Sequence, residues 1–182
     1  MFVIDSTVAL RVLREDDAAE LFVLTDANRP YLRRWLPWVD LVTSEEDSRS
    51  FLATVTTQRE EGRGPTFGVF CDGALAGVVG FLPVDLVNRT GEIGYWLAPR
   101  RQGRGVMTQC CRFVVRYGFL TLDLNRIQIA AGTENLASRA IAERLGFKFE
   151  GILRGRENLY GTFIDHAMYS LLRSDFDEVD ES

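Results

Sequence analysis

The sequence predicts an α/β (α+β) domain: a twisted, mixed but mostly antiparallel sheet with helices on both faces. Three stretches predict it. Asp72-Gly73 joins the apolar runs Thr66 to Cys71 and Ala74 to Leu82, and that dipeptide takes the positive φ of a tight hairpin turn. Glu92 to Met107 reads EIGYWLAPRRQGRGVM. Its first half alternates like a strand and stops on Pro99; its second half, Arg100 to Gly105, is a basic glycine turn, and from Val106 the apolar spacing becomes helical. The third stretch, Arg126 to Ala131, is a short strand followed by small polar residues and another helical pattern.

In chain order, Val8 to Leu13 is the first expected strand, and the acids of Arg14-Glu15-Asp16-Asp17 suit a helix start. Ala18, Ala19, Leu21, Phe22 and Leu24 then recur at helical spacing up to about Ala27. Asn28 to Trp38 reads as a connector, its aromatics either packed as a lid or turned to a substrate or second subunit. Thr43 and Glu46 have capping-box spacing, with Ser44 an alternative cap, for a helix from about Glu45 to Glu61 that Gly62 and Gly64 end. Phe51, Leu52 and Val55 are its expected buried stripe. After the hairpin, Val87 to Thr90 leads into the strand at Glu92, the last of an antiparallel meander. Val106, Cys110, Phe113, Val114 and Tyr117 mark one apolar helix face. Gly132-Thr133-Glu134-Asn135 precedes a helix from Leu136 to Leu145 that Gly146 stops. Phe147 to Leu153 and Phe163 to Leu172 are the closing strands, and Asp175 to Ser182 is an acidic tail expected to fray. No repeat or linker interrupts residues 1–182, which read as a single domain.

Composition narrows the function. The 182 residues are 46% hydrophobic, enough for a real core. A net charge of -5 argues against sequence-independent nucleic-acid binding. No apolar run approaches the roughly 18 residues of a membrane span, and MFVIDSTVALRVL lacks the basic start of a signal peptide, so the cytoplasm is expected. Three cysteines, Cys71, Cys110 and Cys111, match no zinc spacing and read as reduced, buried thiols. With His166 the only histidine, a histidine-rich metal site or a serine-histidine hydrolase finds little support, and His166 itself reads as structural.

Chemistry concentrates at Glu92 to Met107. A strand that empties through a glycine turn onto a helix leaves several backbone N–H groups unpaired, and the helix dipole adds about half a positive charge. With Arg101 and Arg104 beside it, phosphate is the natural guest.

Arg100-Arg101-Gln102-Gly103-Arg104-Gly105 fits the (Gln/Arg)-x-x-Gly-x-(Gly/Ala) signature of the GNAT superfamily of acetyl-CoA-dependent N-acetyltransferases, set between a strand and a helix, with Asn135 and Gly146-Phe147 further on. From Leu10-Arg11 through Asn28-Arg29 and Trp35-Leu36-Pro37-Trp38 to Asp165 to Leu171, roughly residues 8 to 173, the chain resembles the Rim-type branch, which includes ribosomal-protein N-acetyltransferases. The resemblance implies a GNAT fold whose sheet opens in a V between the strands at 92 to 98 and 126 to 131. It implies that backbone N–H groups of Gln102, Gly103, Arg104, Gly105, Val106 and Met107 hold the pyrophosphate of acetyl-CoA. Trp96 and Leu97 would pair with the pantetheine arm, and Asn135 would hydrogen-bond it.

Many relatives carry a tyrosine seven residues after this asparagine to protonate the departing thiolate; here that position is Ala142. Ser138 resembles the serine that the Rim branch places near the sulfur, although a serine early in a helix also serves as a cap. For a base or acceptor anchor the candidates are Glu157, in Arg156 to Tyr160, which resembles the family's acceptor loop, and Glu92. Each has a plain alternative, a solvated acid for Glu157 and an arginine partner for Glu92. Tyr31, Trp35, Trp38 and Tyr160 are the expected acceptor-side residues. The implied reaction is direct transfer in a ternary complex, with no metal; Cys110 and Cys111 have no base partner for an acyl-enzyme. A protein α-amino group, with a pKa of about 8, needs less help from a base than a lysine. By resemblance, a ribosomal-protein amino terminus is the preferred acceptor; polyamines, small amines and aminoglycosides stay open, as does a non-catalytic acyl-CoA sensor. The aromatic segment around Trp35 and Trp38 is compatible with a homodimer.

Overall fold

The dipeptide Asp72-Gly73 turns the chain as its chemistry dictates, with φ of 53° and 82° joining strand β3 (Thr66–Cys71) to β4 (Ala74–Phe81). Around this hairpin the computed structural model, which describes residues 1–180, builds one eight-stranded sheet. Its other strands are β1 (Phe2–Val3), β2 (Val8–Val12), β5 (Thr90–Leu97), β6 (Arg126–Gly132), β7 (Lys148–Leu159) and β8 (Thr162–Leu172), in the order β1-β2-β3-β4-β5-β6-β8-β7. Every neighbouring pair is antiparallel except β5 and β6. A parallel pair needs a crossover, which helix α4 (Val106–Leu120) supplies.

Helices cover both faces. On one, α1 (Ala18–Ala27) and α3 (Glu45–Glu60) bury Leu21, Leu52 and Val55 against Phe70, Leu75 and Val78. On the other, α4 and α5 (Leu136–Arg144) share a larger core with Phe67, Val79, Ile127, Ile129 and Tyr169. Lying between the two layers, β3 is buried along its whole length, which explains a run of apolar residues without alternation. Two more helices are short: α2 (Arg29–Leu32) and α6 (Arg173–Asp180).

Several local expectations need correction. Ser44, not Thr43, caps α3, and its box partner is Asp47 rather than Glu46. Phe51 is 43% exposed, so the buried stripe of α3 continues through Ser48 and Gln58 instead. The amide of Gln58 donates to the carbonyls of Gly64 and Phe81, which lets a polar side chain sit inside. In α4 the buried face centres on Met107, Cys110, Cys111, Val114 and Phe119, leaving Val106, Phe113 and Tyr117 at its margin. Strand β1 escaped notice because two exposed residues show no periodicity. The connector after Ala27 contains α2, and Arg29 pins the remainder by donating to the carbonyls of Val39 and Val42. The tail begins as α6, with Phe176 against Phe119 at 5.0 Å and Arg173 donating to Phe119 O; residues 181 and 182 lie outside the described residues. Finally, the segment expected as an acceptor loop is the second half of β7.

One topological fact positions everything that follows. Strands β5 and β6 pair only at Thr90, Gly91 and Glu92, opposite Arg126, Ile127 and Gln128, whereas β5 stays paired with β4 as far as Leu97, opposite Gly77. Beyond Glu92 the sheet therefore opens in a V. No helix among the described residues is long and apolar enough to cross a membrane.

Candidate active site

The V exposes one edge of β5. Hydrogen bonds from Leu82 N to Glu92 O and from Ala98 N to Ala76 O turn the even-numbered residues of this strand toward β4. Because antiparallel ladders alternate, the backbone groups of Ile93, Tyr95 and Leu97 face the gap. Trp96, expected to offer its backbone there together with Leu97, spends it on Val78 in β4, and its side chain packs on the α1 and α3 side.

At the end of β5 the chain makes a short 3-10 turn at Pro99–Arg101 and reaches α4 through Gly103 and Gly105, both at left-handed φ of 75° and 76°. Gly105 caps α4 without any side-chain hydrogen bond, so the first N–H groups of the helix have only external acceptors to find. A Cβ at either glycine would meet nothing within 4 Å; backbone conformation, rather than close packing, requires glycine here. The Gln102 side chain reaches back to Leu97 O at 2.7 Å and to the Tyr31 hydroxyl at 2.9 Å. Tyr31, expected at the acceptor, thus braces the glycine turn. Arg101 is ion-paired with Asp72 at 2.7 Å, while Arg104 has no acidic partner within ion-pair distance among the described residues. Both line a cavity of about 180 Å³ with Asp5, Thr7 and Asp72.

The other arm of the V leads into α5. Asn135 caps this helix, its side-chain oxygen accepting from Ser138 N at 3.2 Å. The Ser138 hydroxyl donates to the hydroxyl of Tyr95 at 3.0 Å, and Tyr95 in turn lies 3.0 Å from Ser138 O. Burial pushes the Tyr95 phenol well above the usual tyrosine range. The helix start is anchored from behind, where Arg139 donates to Thr133 O and to the fully buried Tyr169, which donates to Glu143. Ala142 is completely buried on α5. Sequence reasoning missed Tyr95; the available signal was its place on β5 in a chain lacking a tyrosine at position 142.

The two candidate carboxylates lie on the opposite face of the sheet from Ser138 and Tyr95. Glu92 stands at the fork, on the last rung joining β5 to β6, and accepts from Gln128 at 2.8 Å. Among the described residues no arginine pairs with it. That role falls to Glu150, which takes both terminal nitrogens of Arg126 and the Ser170 hydroxyl, holding its carboxyl at a pKa of about 2. Glu157 lies beyond an irregularity in β7, where Leu153 opposes His166 but Glu157 opposes Ile164. Gly155, at φ 56°, forms this bulge and donates its N–H to Asp165. The result brings Glu157 within 3.3 Å of His166, which gives the lone histidine a partner in the site.

Two aromatics close this side. Trp38 packs on Trp96 at 6.4 Å, and Tyr160 donates to Leu36 O at 2.7 Å under the Arg33 guanidinium; Trp35, expected beside them, is half-buried under its neighbour Arg34. The connector thereby ties the tip of the β7–β8 hairpin to the end of β5. The three cysteines are buried and free, and burial raises their thiols, Cys110 to about 12, so almost no thiolate exists at neutral pH. No group of three or more metal-binding side chains comes together among the described residues.

The chain is similar to known proteins along most of its length. Residues 7–148 match the family described as Acetyltransferase (GNAT) domain. A putative ribosomal N-acetyltransferase, YdaF, of Bacillus subtilis (strain 168) is 34% identical over 177 residues, 96% of either chain. The ribosomal-protein-serine acetyltransferase of Escherichia coli (strain K12) is 29% identical, covering 92% of this chain and 93% of its own. Among solved structures, the RimL ribosomal L7/L12 alpha-N-protein acetyltransferase in complex with coenzyme A superposes with a TM-score of 0.90 at 30% identity, over 96% of this chain and 98% of that one.

Proposed function

Because this chain belongs to the GNAT acetyltransferase family, we propose that it moves the acetyl group of acetyl-CoA onto the amino terminus of a ribosomal protein. One observation carries this reading: the gap between β5 and β6 has a serine–tyrosine hydroxyl pair on one face and two hydrogen-bonded carboxylates on the other. A thioester laid in the gap can meet an amine from one side and release sulfur on the other.

In this mechanism the N–H groups from Gln102 to Met107 bind the pyrophosphate, which the α4 dipole favours. The pantetheine arm pairs with the open backbone of Tyr95 and Leu97, where Asn135 also reaches it. Leu97 O is occupied by Gln102, so Leu97 contributes its N–H. The neutral amine enters past Trp38 and Tyr160 and attacks the carbonyl, losing one proton to Glu157 as the C–N bond forms, while Glu92 orients it from the fork. Negative charge on the carbonyl oxygen is met by an N–H of β5, and the C–S bond breaks beside Ser138. A peptide amino terminus is already partly neutral near pH 7, which suits one weakly assisted proton transfer.

A mass-spectrometric acceptor screen tests the reading, with ribosomal-protein amino-terminal peptides set against polyamines and aminoglycosides. Peptide acetylation should dominate, and Glu157→Gln should lower kcat roughly 100-fold while acetyl-CoA binding survives. Preferential acetylation of a polyamine or aminoglycoside would reassign the acceptor. Tight acetyl-CoA binding without thiol release across the whole amine panel would instead support a sensor.

A further inference from the structure

The acid side of this reaction poses a problem, because Ser138 is a poor proton donor and its hydroxyl hydrogen is engaged by Tyr95 Oη. We propose that Tyr95 is the positioning residue that frees Ser138 to stabilise the departing thiolate, its phenol hydrogen swinging from Ser138 O to Ser138 Oγ. The inference rests on the acetyltransferase reading above and deepens its leaving-group step.

The geometry supplies both positions. Tyr95 Oη lies 3.0 Å from Ser138 O and 3.0 Å from Ser138 Oγ, so concerted rotation of the two O–H bonds reverses the chain without moving a heavy atom. In the first arrangement Ser138 donates to Tyr95 and Tyr95 to the carbonyl. In the second Tyr95 donates to Ser138 Oγ, whose own hydrogen is released toward the sulfur. Ser138 N is held by Asn135 and the helix start by Arg139, so the hydroxyl pivots on a fixed backbone. Positions 138 and 142 lie one turn apart on the same face of α5, so the phenol from β5 reaches the face on which a tyrosine at 142 would stand. Ala142, completely buried, leaves that face without a hydroxyl of its own.

The atoms balance without an ionised tyrosine. The amine nitrogen forms the new C–N bond and loses its proton to Glu157; the C–S bond breaks and its electron pair stays on sulfur. That charge is held by the Ser138 hydrogen bond, which the Tyr95 hydrogen bond strengthens through the chain. CoA then takes a proton from solvent, and Glu157 returns one. Burial keeps the Tyr95 hydrogen on its oxygen throughout, as a donor must.

Tyr95→Phe removes one oxygen and keeps the ring, so packing survives. It should lower kcat roughly 10- to 100-fold, with the KM for acetyl-CoA little changed. A binding measurement separates this role from a structural one: CoA is compared with desulfo-CoA, which lacks the thiol, from pH 7 to 9. The wild type should prefer CoA increasingly as pH rises; Tyr95→Phe and Ser138→Ala should each lose that preference, and the double variant should lose no more than Ser138→Ala. Unchanged preference in Tyr95→Phe, or losses that multiply in the double variant, would overturn the proposal. Because binding needs no acceptor, that outcome is distinct from failure of the acetyltransferase reading, which absence of thiol release would reveal.

Discussion

Gly105 shows how much a single position can fix. At φ 76° and with no side-chain cap, it lets the chain enter α4 with its N–H groups turned outward. A β-branched residue there must strain into a left-handed conformation, at about 1–2 kcal/mol, or tilt the turn. Gly105→Val should therefore weaken CoA binding roughly tenfold by calorimetry, by the energy–affinity relation, with the fold retained. The same scale marks the limit of sequence reading. Asn135 and Ser138 were legible, since a cap and a residue three positions later belong to one local pattern. Tyr95 was not, because its hydroxyl partner lies 43 residues away and a tyrosine in an alternating strand looks like packing.

At the scale of elements, the sequence revealed most strands and helices, because turn chemistry and apolar period both act locally. Asp72-Gly73 and Gly146 ended their elements where expected. It failed where tertiary contacts overrode local signals. The strand from Phe147 is expected to end at Leu153, with Arg156 to Tyr160 as an acceptor loop, yet pairing with β8 carries β7 on to Leu159 through a bulge. The gap in the sheet also has an element-scale signature. In hydrogen exchange, CoA should slow the amides of Tyr95 and Leu97, whereas Trp96, already bonded to β4, should change little. Equal protection of all three would contradict the assigned strand alternation.

Over the whole molecule, β5 and β6 share only three paired positions, so each half of the sheet must hold itself together. Arg126 on β6 and Glu150 on β7 brace the second half across the intervening β8. Hydrogen bonds from Arg126 and then Ser170 hold Glu150 at about 2, below its ordinary 4.5. A depressed carboxyl stabilises the fold fully above the unfolded value and loses that contribution as pH falls toward the folded one. Glu150→Gln should accordingly lower Tm at pH 7, and its deficit should shrink between about pH 4.5 and 2; a pH-independent deficit would show that the charge is not responsible.

Under the proposed function, the V divides traffic as well as chemistry. With the thiol carrier entering along one face and the amine along the other, neither route runs through the other. A polypeptide many times larger than its reacting nitrogen needs to insert only its first residues past Trp38 and Tyr160, while the bulk of its body stays outside. Spent carrier can back out along its own channel without waiting for that body to leave.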